Sequence, residues 1–478
     1  MSVKTPNVVA ILIGRGGSSF KDKNIFPVLG RPLLDYQCIA ALNSKYIKNY
    51  YVSSDNNNIL DAAARYGYKK IKRPAFLATD NAQSPDVLTH ALEIIKKEIN
   101  PEYIVLQHAN VATITSEIID DCLEIIFKDN SLDSVIPVHS NDDFNPYRAK
   151  KIIQGNYLEN FFNNPVSANR QDLPKSVFPD HNIWVLNRQS VDKASGLAPW
   201  PCMGSSIKAY LTSGCFDVHD IEDIQLSEDW LLKNNQKVIT NFPLSSDPRL
   251  LIEVFFKIIK SKLNEILSMR SNHKQKSDGS IVTEADIYIQ DLAKSFFNIN
   301  LKNHKYISEE EIFDLNPDNE EYSNSITIDP IDGTENFFSG LKEWGIGISI
   351  YSNGKHKASG IFLPELNELV ISGDTIEKFS SRIEGLSSSL NIQDLISIQE
   401  KRNPYETRII GCSMYNMLNV IKGSFTSFEN IKGVNSWDLL PGINLALEHG
   451  LKVHIDSKPY NGELLLPTKK YKVFVSND

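Results

Sequence analysis

The feature that most constrains the fold is an alternation of short apolar runs with amphipathic segments in the first half of the chain. The apolar runs span residues 8–13, 50–53, 103–107 and 134–138. Segments with helical periodicity follow them, at residues 32–42, 59–66, 85–99 and 116–127. Continuous apolar runs are typical of strands buried on both faces. The pattern therefore predicts an α/β domain, a Rossmann-like fold whose mostly parallel sheet is covered by helices.

The chain has 478 residues, which is more than a single hydrophobic core usually supports. Polar and proline-rich punctuation at residues 235–248 precedes a new amphipathic helix, predicted over residues 249–269. We therefore predict two domains, residues 1–234 and 249–478, joined by a linker at 235–248.

The loop after the first apolar run is rich in glycine and cations. Glycines allow backbone N–H groups to approach phosphate oxygens, and nearby cations compensate the charge. The loop matches neither the P-loop pattern nor the dinucleotide-binding pattern. It predicts a triphosphate cradle whose members are Gly14, Arg15, Gly16, Gly17, Ser18, Lys21, Lys23 and Asn24.

The continuation of this loop, residues 23–34, resembles the opening of the CMP-sialate synthetase type of cytidylyltransferases. Further similar stretches follow in order at residues 84–86, 106–107, 169–174 and 216–223, and the resemblance covers residues 8–232. It implies that CTP and a sugar acid react to give a CMP-sugar and pyrophosphate, with Mg²⁺ on the triphosphate. The matching positions are Arg15, Lys23, Asn24, Gln107, Arg170, Gln171 and Asp217. By resemblance, Arg15 and Lys23 act in catalysis, Asp217 binds the metal, and the others bind substrate.

Three departures from that family's pattern concern its substrate and metal residues. Ser19 replaces a usual lysine, residues 108–113 replace an arginine-bearing turn, and His219 replaces a second metal-binding aspartate. His219 is equally compatible with a metal-site role and with a structural role. Selectivity for cytosine and the identity of the acceptor remain open.

The second half contains the stretch Ser325–Phe337, which places Asp329, Asp332 and Thr334 after an apolar run and beside Gly333. Hard cations such as Mg²⁺ prefer oxygen ligands and retain open positions for water and phosphate. This stretch therefore predicts a magnesium site.

Two further acidic stretches, at residues 306–311 and 435–442, and a turn with a helix start at 276–286 complete a resemblance to the inositol monophosphatase superfamily. This resemblance implies a layered α/β (α+β) domain and a Mg²⁺-dependent phosphatase. By resemblance, Glu309 (or its neighbour Glu310), Asp329, the Ile331 carbonyl and Thr334 hold one metal. Asp329, Asp332 and Asp438 hold a second. Asp286 and Thr334 orient the attacking water, and Gly333 contributes to substrate binding.

Composition narrows the class of protein. Hydrophobic residues make up 41% of the chain and the formal net charge is −9, which disfavours nucleic acid as a general partner. Neither a membrane span nor a signal peptide is apparent at residues 8–13. The five scattered cysteines suit buried thiols in a reducing compartment, so we expect a cytoplasmic protein.

Together the two resemblances favour a bifunctional enzyme, in which a phosphatase acts on a phosphorylated nonulosonic-type sugar acid and a cytidylyltransferase activates the freed sugar. Residues 276–286 also resemble 3′-phosphoadenosine phosphatases, so that nucleotide or an inositol phosphate is an alternative phosphatase substrate. A degenerate nucleotide-binding or assembly module is an alternative for the N-terminal half. Both families imply a homo-oligomer, a dimer or a tetramer.

Overall fold

The computed structural model describes residues 6–17, 19–79, 81–141, 144–162, 167–275, 281–309, 322–402 and 406–477. The chain divides into two compact units, Met1–Val238 and Ile239–Asp478. The predicted linker at 235–248 includes a short helix at Gln236–Thr240.

The first unit alternates strands and helices as the apolar pattern predicts. Its strands are β1 (Val8–Ile13), β2 (Pro27–Val28), β3 (Arg31–Pro32), β4 (Asn49–Ser54), β5 (Lys69–Lys72), β6 (Tyr103–His108), β7 (Ser134–Ser140), β8 (Lys150–Ile153), β9 (Tyr157–Asn160), β10 (Val177–Pro179), β11 (Ile183–Asn187) and β12 (Ile207–Leu211). Its helices are α1 (Asp35–Leu42), α2 (Asn57–Ala64), α3 (Ser84–Ile95), α4 (Ser116–Lys128), α5 (Arg188–Lys193), α6 (Glu222–Asn234) and α7 (Gln236–Thr240).

The main sheet of this unit has the order β10-β7-β11-β6-β1-β4-β5, with β12 paired to β7. Strands β4, β1, β6 and β5 are mutually parallel, which confirms the predicted sheet type, whereas β11 runs antiparallel to both β6 and β7. Helix α1 begins at residue 35 rather than at the predicted 32. The backbone amides of Leu33 and Leu34 donate to Phe26 and Asn24 instead, which keeps them in the preceding hairpin.

The second unit begins with helices α8 (Pro248–Ser261) and α9 (Leu263–Ser268), where a single helix was predicted. Its other helices are α10 (Glu284–Asn300), α11 (Thr334–Phe338), α12 (Ile392–Arg402), α13 (Ser413–Lys422) and α14 (Ser436–Glu448). Its strands are β13 (His273–Gln275), β14 (Ile281–Thr283), β15 (Lys305–Ser308), β16 (Ser325–Asp332), β17 (Gly345–Ser352), β18 (Lys355–Leu363), β19 (Glu368–Ile371), β20 (Ile383–Leu386), β21 (Glu406–Ile409), β22 (Ser427–Val434), β23 (Lys452–Ile455), β24 (Lys458–Pro459) and β25 (Tyr471–Ser476).

Two larger sheets, β15-β16-β17-β18-β19 and β21-β20-β22-β25-β23-β24, form the layers of this unit. Helices α13 and α14 contact strands of both sheets, and α8 and α10 contact strands of the first. A core with Met417, Leu440 and Val475 fills the space around α13 and α14. The layers place the carboxyl ends of β15 and β16 beside the first turns of α13 and α14.

Among the described helices, none is long and apolar enough to cross a membrane. The thiols of Cys38, Cys122, Cys202 and Cys412 are buried, and that of Cys215 is half-buried.

Candidate active sites

The first unit has a cleft of about 340 Å³ at the carboxyl end of β1, next to the loop that sequence analysis singled out. Parallel sheets bind ligands at this edge because strand ends and helix starts meet there. The predicted residues that line the cleft are Gly14, Arg15, Lys23 and Asn24, together with the departure positions Ser19 and His219.

Two positions of the loop require glycine, because neighbouring side chains leave no room for a Cβ atom. A Cβ on Gly14 would lie 2.7 Å from the Cβ of Ala109, and one on Gly16 would lie 2.9 Å from the Cβ of Asn56. The Gly16 amide donates to Asp55 Oδ1 at 2.9 Å, and the Asn24 side chain donates to the Arg15 carbonyl at 2.9 Å. These bonds hold the loop against the strand ends.

Lys23 and Arg73 bring positive charge to the cleft. Burial lowers the pKa of Lys23, and the nearby Asp217 carboxylate opposes that shift. Arg73 is 6% exposed and donates from Nη2 to the Ser53 carbonyl at 2.7 Å. Burial lowers the pKa of Arg73 to about 10, so its guanidinium stays charged at neutral pH. Arg73 was not predicted from the sequence, because the strand before it, β5, has the sequence Lys-Lys-Ile-Lys and not an apolar run.

Asp217 lies behind the lining of the cleft, where it contacts two lining residues, Asn110 and His219. Asn110 Nδ2 donates to one oxygen of the Asp217 carboxylate, and His219 Nε2 lies 3.4 Å from the other. Burial raises the pKa of Asp217, whereas His219, His181 and Lys23 lower it. The backbone of His219 is fixed by its amide, which donates to Asp223 Oδ2 at 2.7 Å, and by its carbonyl, which accepts from the Ser19 hydroxyl.

Other predicted substrate-binding residues lie elsewhere among the described residues. Gln107 is fully buried, and its amide donates to the Gln37 carbonyl at 2.8 Å and accepts from the Tyr68 hydroxyl at 2.8 Å. These contacts give Gln107 a place in the core beneath the cleft, because a buried amide must satisfy its polar groups internally. Residues outside the lining of the cleft are Gly17, Lys21, Arg170 and Gln171, all exposed. Ser18 lies outside the described residues.

In the second unit, a parallel strand pair brings two predicted metal ligands together. Strand β15 pairs with β16 in parallel, with Ser308 opposite Ile328. The next residues, Glu309 and Asp329, therefore lie side by side, Glu309 just after β15 and Asp329 within β16. Asp438 approaches them from α14, where its carboxylate accepts the Asn435 amide at 3.2 Å in a capping box. One carboxylate oxygen from each of these three acids lies within 4.8 Å of the others. Glu310 lies outside the described residues.

Asp332 lines the same cavity, of about 240 Å³, but is not part of that closest group. The pairing of β16 with β17 is irregular between Asp329 and Asp332. Residues three apart in a regular strand lie on opposite faces, so this irregularity allows both carboxylates to line one cavity. Oδ2 of Asp332 accepts the Met414 amide and the Cys412 thiol, the latter at 3.1 Å. Asp332 is thus held by the first turn of α13.

Burial raises the pKa values of Asp329, Asp332 and Asp438, and repulsion among the acids raises them further. The pKa of Asp332 rises to about 6 and that of Asp438 to about 8, in each case first because of burial. The pKa of Asp329 is raised well above its usual range by burial and by Asp438, Asp332 and Glu309. The described residues that line the cavity include no Lys, Arg or His. A cluster of carboxylate oxygens such as this fits a hard divalent cation.

The predicted water-orienting pair lies beside these acids. The Thr334 hydroxyl is 2.9 Å from the Ile331 carbonyl and 3.4 Å from Asp286 Oδ1. Asp286 Oδ2 accepts from the Thr283 amide at 2.8 Å and caps α10. Gly333 has φ +82°, a left-handed conformation that glycine adopts without strain, and it turns the chain from β16 into α11.

One polar wall of this cavity was not predicted from the sequence. This wall comprises Ser387, Ser388 and Ser389 after β20 and Asn430 on β22. Serines after a short strand carry no distinctive sequence signal, because they are equally typical of ordinary turns.

The two units thus define an α/β domain with a cationic cleft and a layered domain with a cavity lined by clustered carboxylates. Comparison with known families agrees: residues 9–177 match the family described as "Cytidylyltransferase", and residues 247–473 match the "Inositol monophosphatase family". The chain therefore joins a cytidylyltransferase-family domain to an inositol monophosphatase-family domain.

Similar curated proteins match one half each. A Helicobacter pylori "Pseudaminic acid cytidylyltransferase and UDP-2,4-diacetamido-2,4,6-trideoxy-beta-L-altropyranose hydrolase" is 26% identical over 39% of this chain, which spans only 35% of that relative. A Campylobacter jejuni "Pseudaminic acid cytidylyltransferase" is 27% identical over 35% of this chain and 73% of its own length. A Thermotoga maritima "Fructose-1,6-bisphosphatase/inositol-1-monophosphatase" is 28% identical over 38% of this chain and 74% of its own length.

Proposed function

We propose that the chain is a bifunctional enzyme that removes phosphate from a phosphorylated sugar acid and couples the freed sugar acid to CMP from CTP. The observation that carries the proposal is the presence, on one chain, of a cleft with buried cations and a cavity with clustered carboxylates. The similarity of the first half to pseudaminic acid cytidylyltransferases supports a nonulosonic-type sugar acid.

For phosphate release, we assign a hard divalent cation, Mg²⁺, to Glu309, Asp329 and Asp438, with Asp332 at a second position. When bound, Mg²⁺ supplies Lewis acidity, which lowers the pKa of a bound water and shields the leaving oxygen of the ester. Thr334 and Asp286 share a hydrogen bond beside this cluster and orient the attacking water. No covalent intermediate with the protein is required.

For cytidylyl transfer, the cations of the cleft hold the triphosphate while the acceptor hydroxyl attacks the α-phosphorus. Lys23, Arg73 and Arg15 line the cleft, and charge-assisted hydrogen bonds to phosphate oxygens are the strong ones in such sites. We assign a divalent cation on the triphosphate to Asp217, with His219 beside it as a further candidate ligand.

The test is a panel of sugar acids and their phosphates, incubated with the full chain, CTP and Mg²⁺, with orthophosphate and pyrophosphate measured separately. We expect orthophosphate from the sugar-acid phosphate without CTP, and pyrophosphate from CTP with the free sugar acid. If none of the acceptors supports the release of pyrophosphate from CTP, the first unit is a nucleotide-binding module and not a cytidylyltransferase. Phosphate release from 3′-phosphoadenosine or inositol phosphate alone would reassign the phosphatase half.

A further inference from the structure

The serine-rich wall of the phosphatase cavity forms a directional chain of hydrogen bonds. Asn430 is 1% exposed, and its Oδ1 accepts the Lys432 amide at 2.9 Å. This bond orients the side-chain amide, so that Nδ2 donates to the Ser387 hydroxyl at 2.9 Å. The same hydroxyl oxygen accepts the Ser389 backbone amide at 3.2 Å.

The direction of the chain follows from counting donors and acceptors. A serine hydroxyl has two acceptor lone pairs and one O–H donor. The lone pairs of Ser387 are occupied by two N–H donors, so its hydrogen is directed to the Ser389 hydroxyl, 2.9 Å away. Ser389 Oγ is then an acceptor for Ser387, and its own hydrogen is available to a ligand in the cavity. The chain from Asn430 through Ser387 to Ser389 therefore ends in a donor.

A donor at this wall selects an acceptor on the substrate. An ionised carboxylate can only accept hydrogen bonds, so it pairs well with a donor. The hydroxyls of a neutral polyol both donate and accept, and water can replace them at such a donor without loss. The acids of the cavity, Glu309, Asp329, Asp332 and Asp438, are those assigned to Mg²⁺. Ser388, which lies between Ser387 and Ser389 in the sequence, adds another hydroxyl to the lining of the cavity.

We propose that Ser387, Ser389 and Asn430 form a subsite for the carboxylate of the substrate, so that the phosphatase distinguishes sugar-acid phosphates from neutral sugar phosphates. This inference rests on the proposed function and assigns residues to its substrate class. Ser389 is exposed and Ser387 is half-buried, so water occupies the donor when no substrate is bound. The preference for the acid comes from the stronger, charge-assisted hydrogen bond that an ionised carboxylate accepts from an oriented hydroxyl.

The test compares a sugar-acid phosphate with its analogue in which the carboxylate is reduced to a hydroxymethyl group. The pair shares every other polar group, including any N-acyl carbonyl, so those contributions cancel. We expect the full chain with Mg²⁺ to favour the acid in kcat/KM by about tenfold, the size expected for one hydrogen bond to a charged group. The preference should appear mainly in KM.

Substitution at Ser389 supplies the matched variants. Ser389→Ala should reduce the acid-to-alcohol ratio to about one, Ser389→Thr should restore it, and Ser389→Asp should invert it by charge repulsion. Ser424→Ala, after α13 and outside the cavity lining, should keep the wild-type ratio.

A ratio that is the same in wild type and Ser389→Ala, with both substrates hydrolysed, would overturn the subsite and leave the proposed function standing. Hydrolysis of neither substrate by the wild-type chain would overturn both. Circular dichroism of each variant, and its pyrophosphate release from CTP, would show whether the chain remains folded.

Discussion

The carboxylate of Asp217 lies 3.4 Å from Nε2 of His219, a residue that lines the cytidylyltransferase cleft. Imidazole suits metals such as Zn²⁺ and Ni²⁺, whereas Mg²⁺ and Mn²⁺ prefer oxygen ligands. We therefore expect His219→Asp to lower the Mg²⁺ concentration required for CTP turnover, and Asp217→Ala to raise it. Titration of Mg²⁺ and Mn²⁺ against pyrophosphate release measures both. An unchanged Mg²⁺ requirement in Asp217→Ala would place the metal elsewhere.

Removal of a cleft cation should weaken use of CTP. Arg15→Ala, Lys23→Ala and Arg73→Ala each delete a cation that lines the cleft, and a charge-assisted hydrogen bond contributes about 1.5–3 kcal/mol. We expect kcat/KM for CTP to fall at least tenfold and phosphate release to be retained. Lys48→Ala, an exposed lysine outside the cleft, is the control. Wild-type kinetics in all three cleft variants would refute the phosphate cradle.

Asp329 should be indispensable for one reaction only. We expect Asp329→Asn to abolish phosphate release while transfer to an already dephosphorylated sugar acid continues. Because Asp438, Asp332 and Glu309 all repel this carboxylate, the variant should unfold at an equal or higher temperature in metal-free buffer. Glu377→Gln, an exposed acid of the same unit, should retain both reactions. Loss of both activities in Asp329→Asn would indicate one composite site.

Stability of the metal-free phosphatase unit should fall as pH rises. The folded-state pKa values of Asp332, about 6, and Asp438, about 8, lie above the ordinary value of 3.8. Folding therefore favours the protonated acids, and this stabilisation is present at low pH and lost as pH rises towards 8. We expect a lower melting temperature at pH 8 than at pH 5 in EDTA. Mg²⁺ should remove most of the difference, because it binds the ionised folded state. Equal melting temperatures in EDTA would contradict the clustered charges.

The hairpin of β8 and β9 provides a test of the predicted homo-oligomer. Leu158 is 70% exposed, and the neighbouring Ile152 and Tyr157 are exposed to a similar degree. Exposed apolar patches of this kind mark interaction surfaces. We expect Leu158→Asp to lower the mass measured by light scattering, whereas Leu211→Asp, at an equally exposed leucine of β12, should not. A monomeric wild-type chain would contradict the prediction.

Local patterns predicted most of the fold. Apolar runs located β1, β4, β6 and β7, since buried strands require them, and the βα alternation indicated a parallel sheet. The antiparallel direction of β11 was not predictable, because an apolar run has no direction. Helix α1 began late, because a hairpin bonded the preceding residues first.

The sites were predictable where chemistry is concentrated in short stretches. Asp329 and Asp332 were found together, but the irregular pairing of β16 that allows both side chains to line one cavity is a property of the sheet. Arg73 and Asn430 are single residues far from the motifs in the sequence. Folding brings Arg73 to the cleft of the first unit and Asn430 to the cavity of the second. Gln107 followed the family pattern, yet its partners Gln37 and Tyr68 draw it into the core.

The division into two units, Met1–Val238 and Ile239–Asp478, has a consequence for gene expression. One translated message yields both units in a fixed one-to-one ratio, whatever the promoter strength or message stability. If the units catalyse successive steps, their capacities can be balanced only through the turnover numbers. Selection for flux would then act on the catalytic residues of the slower unit, not on its abundance.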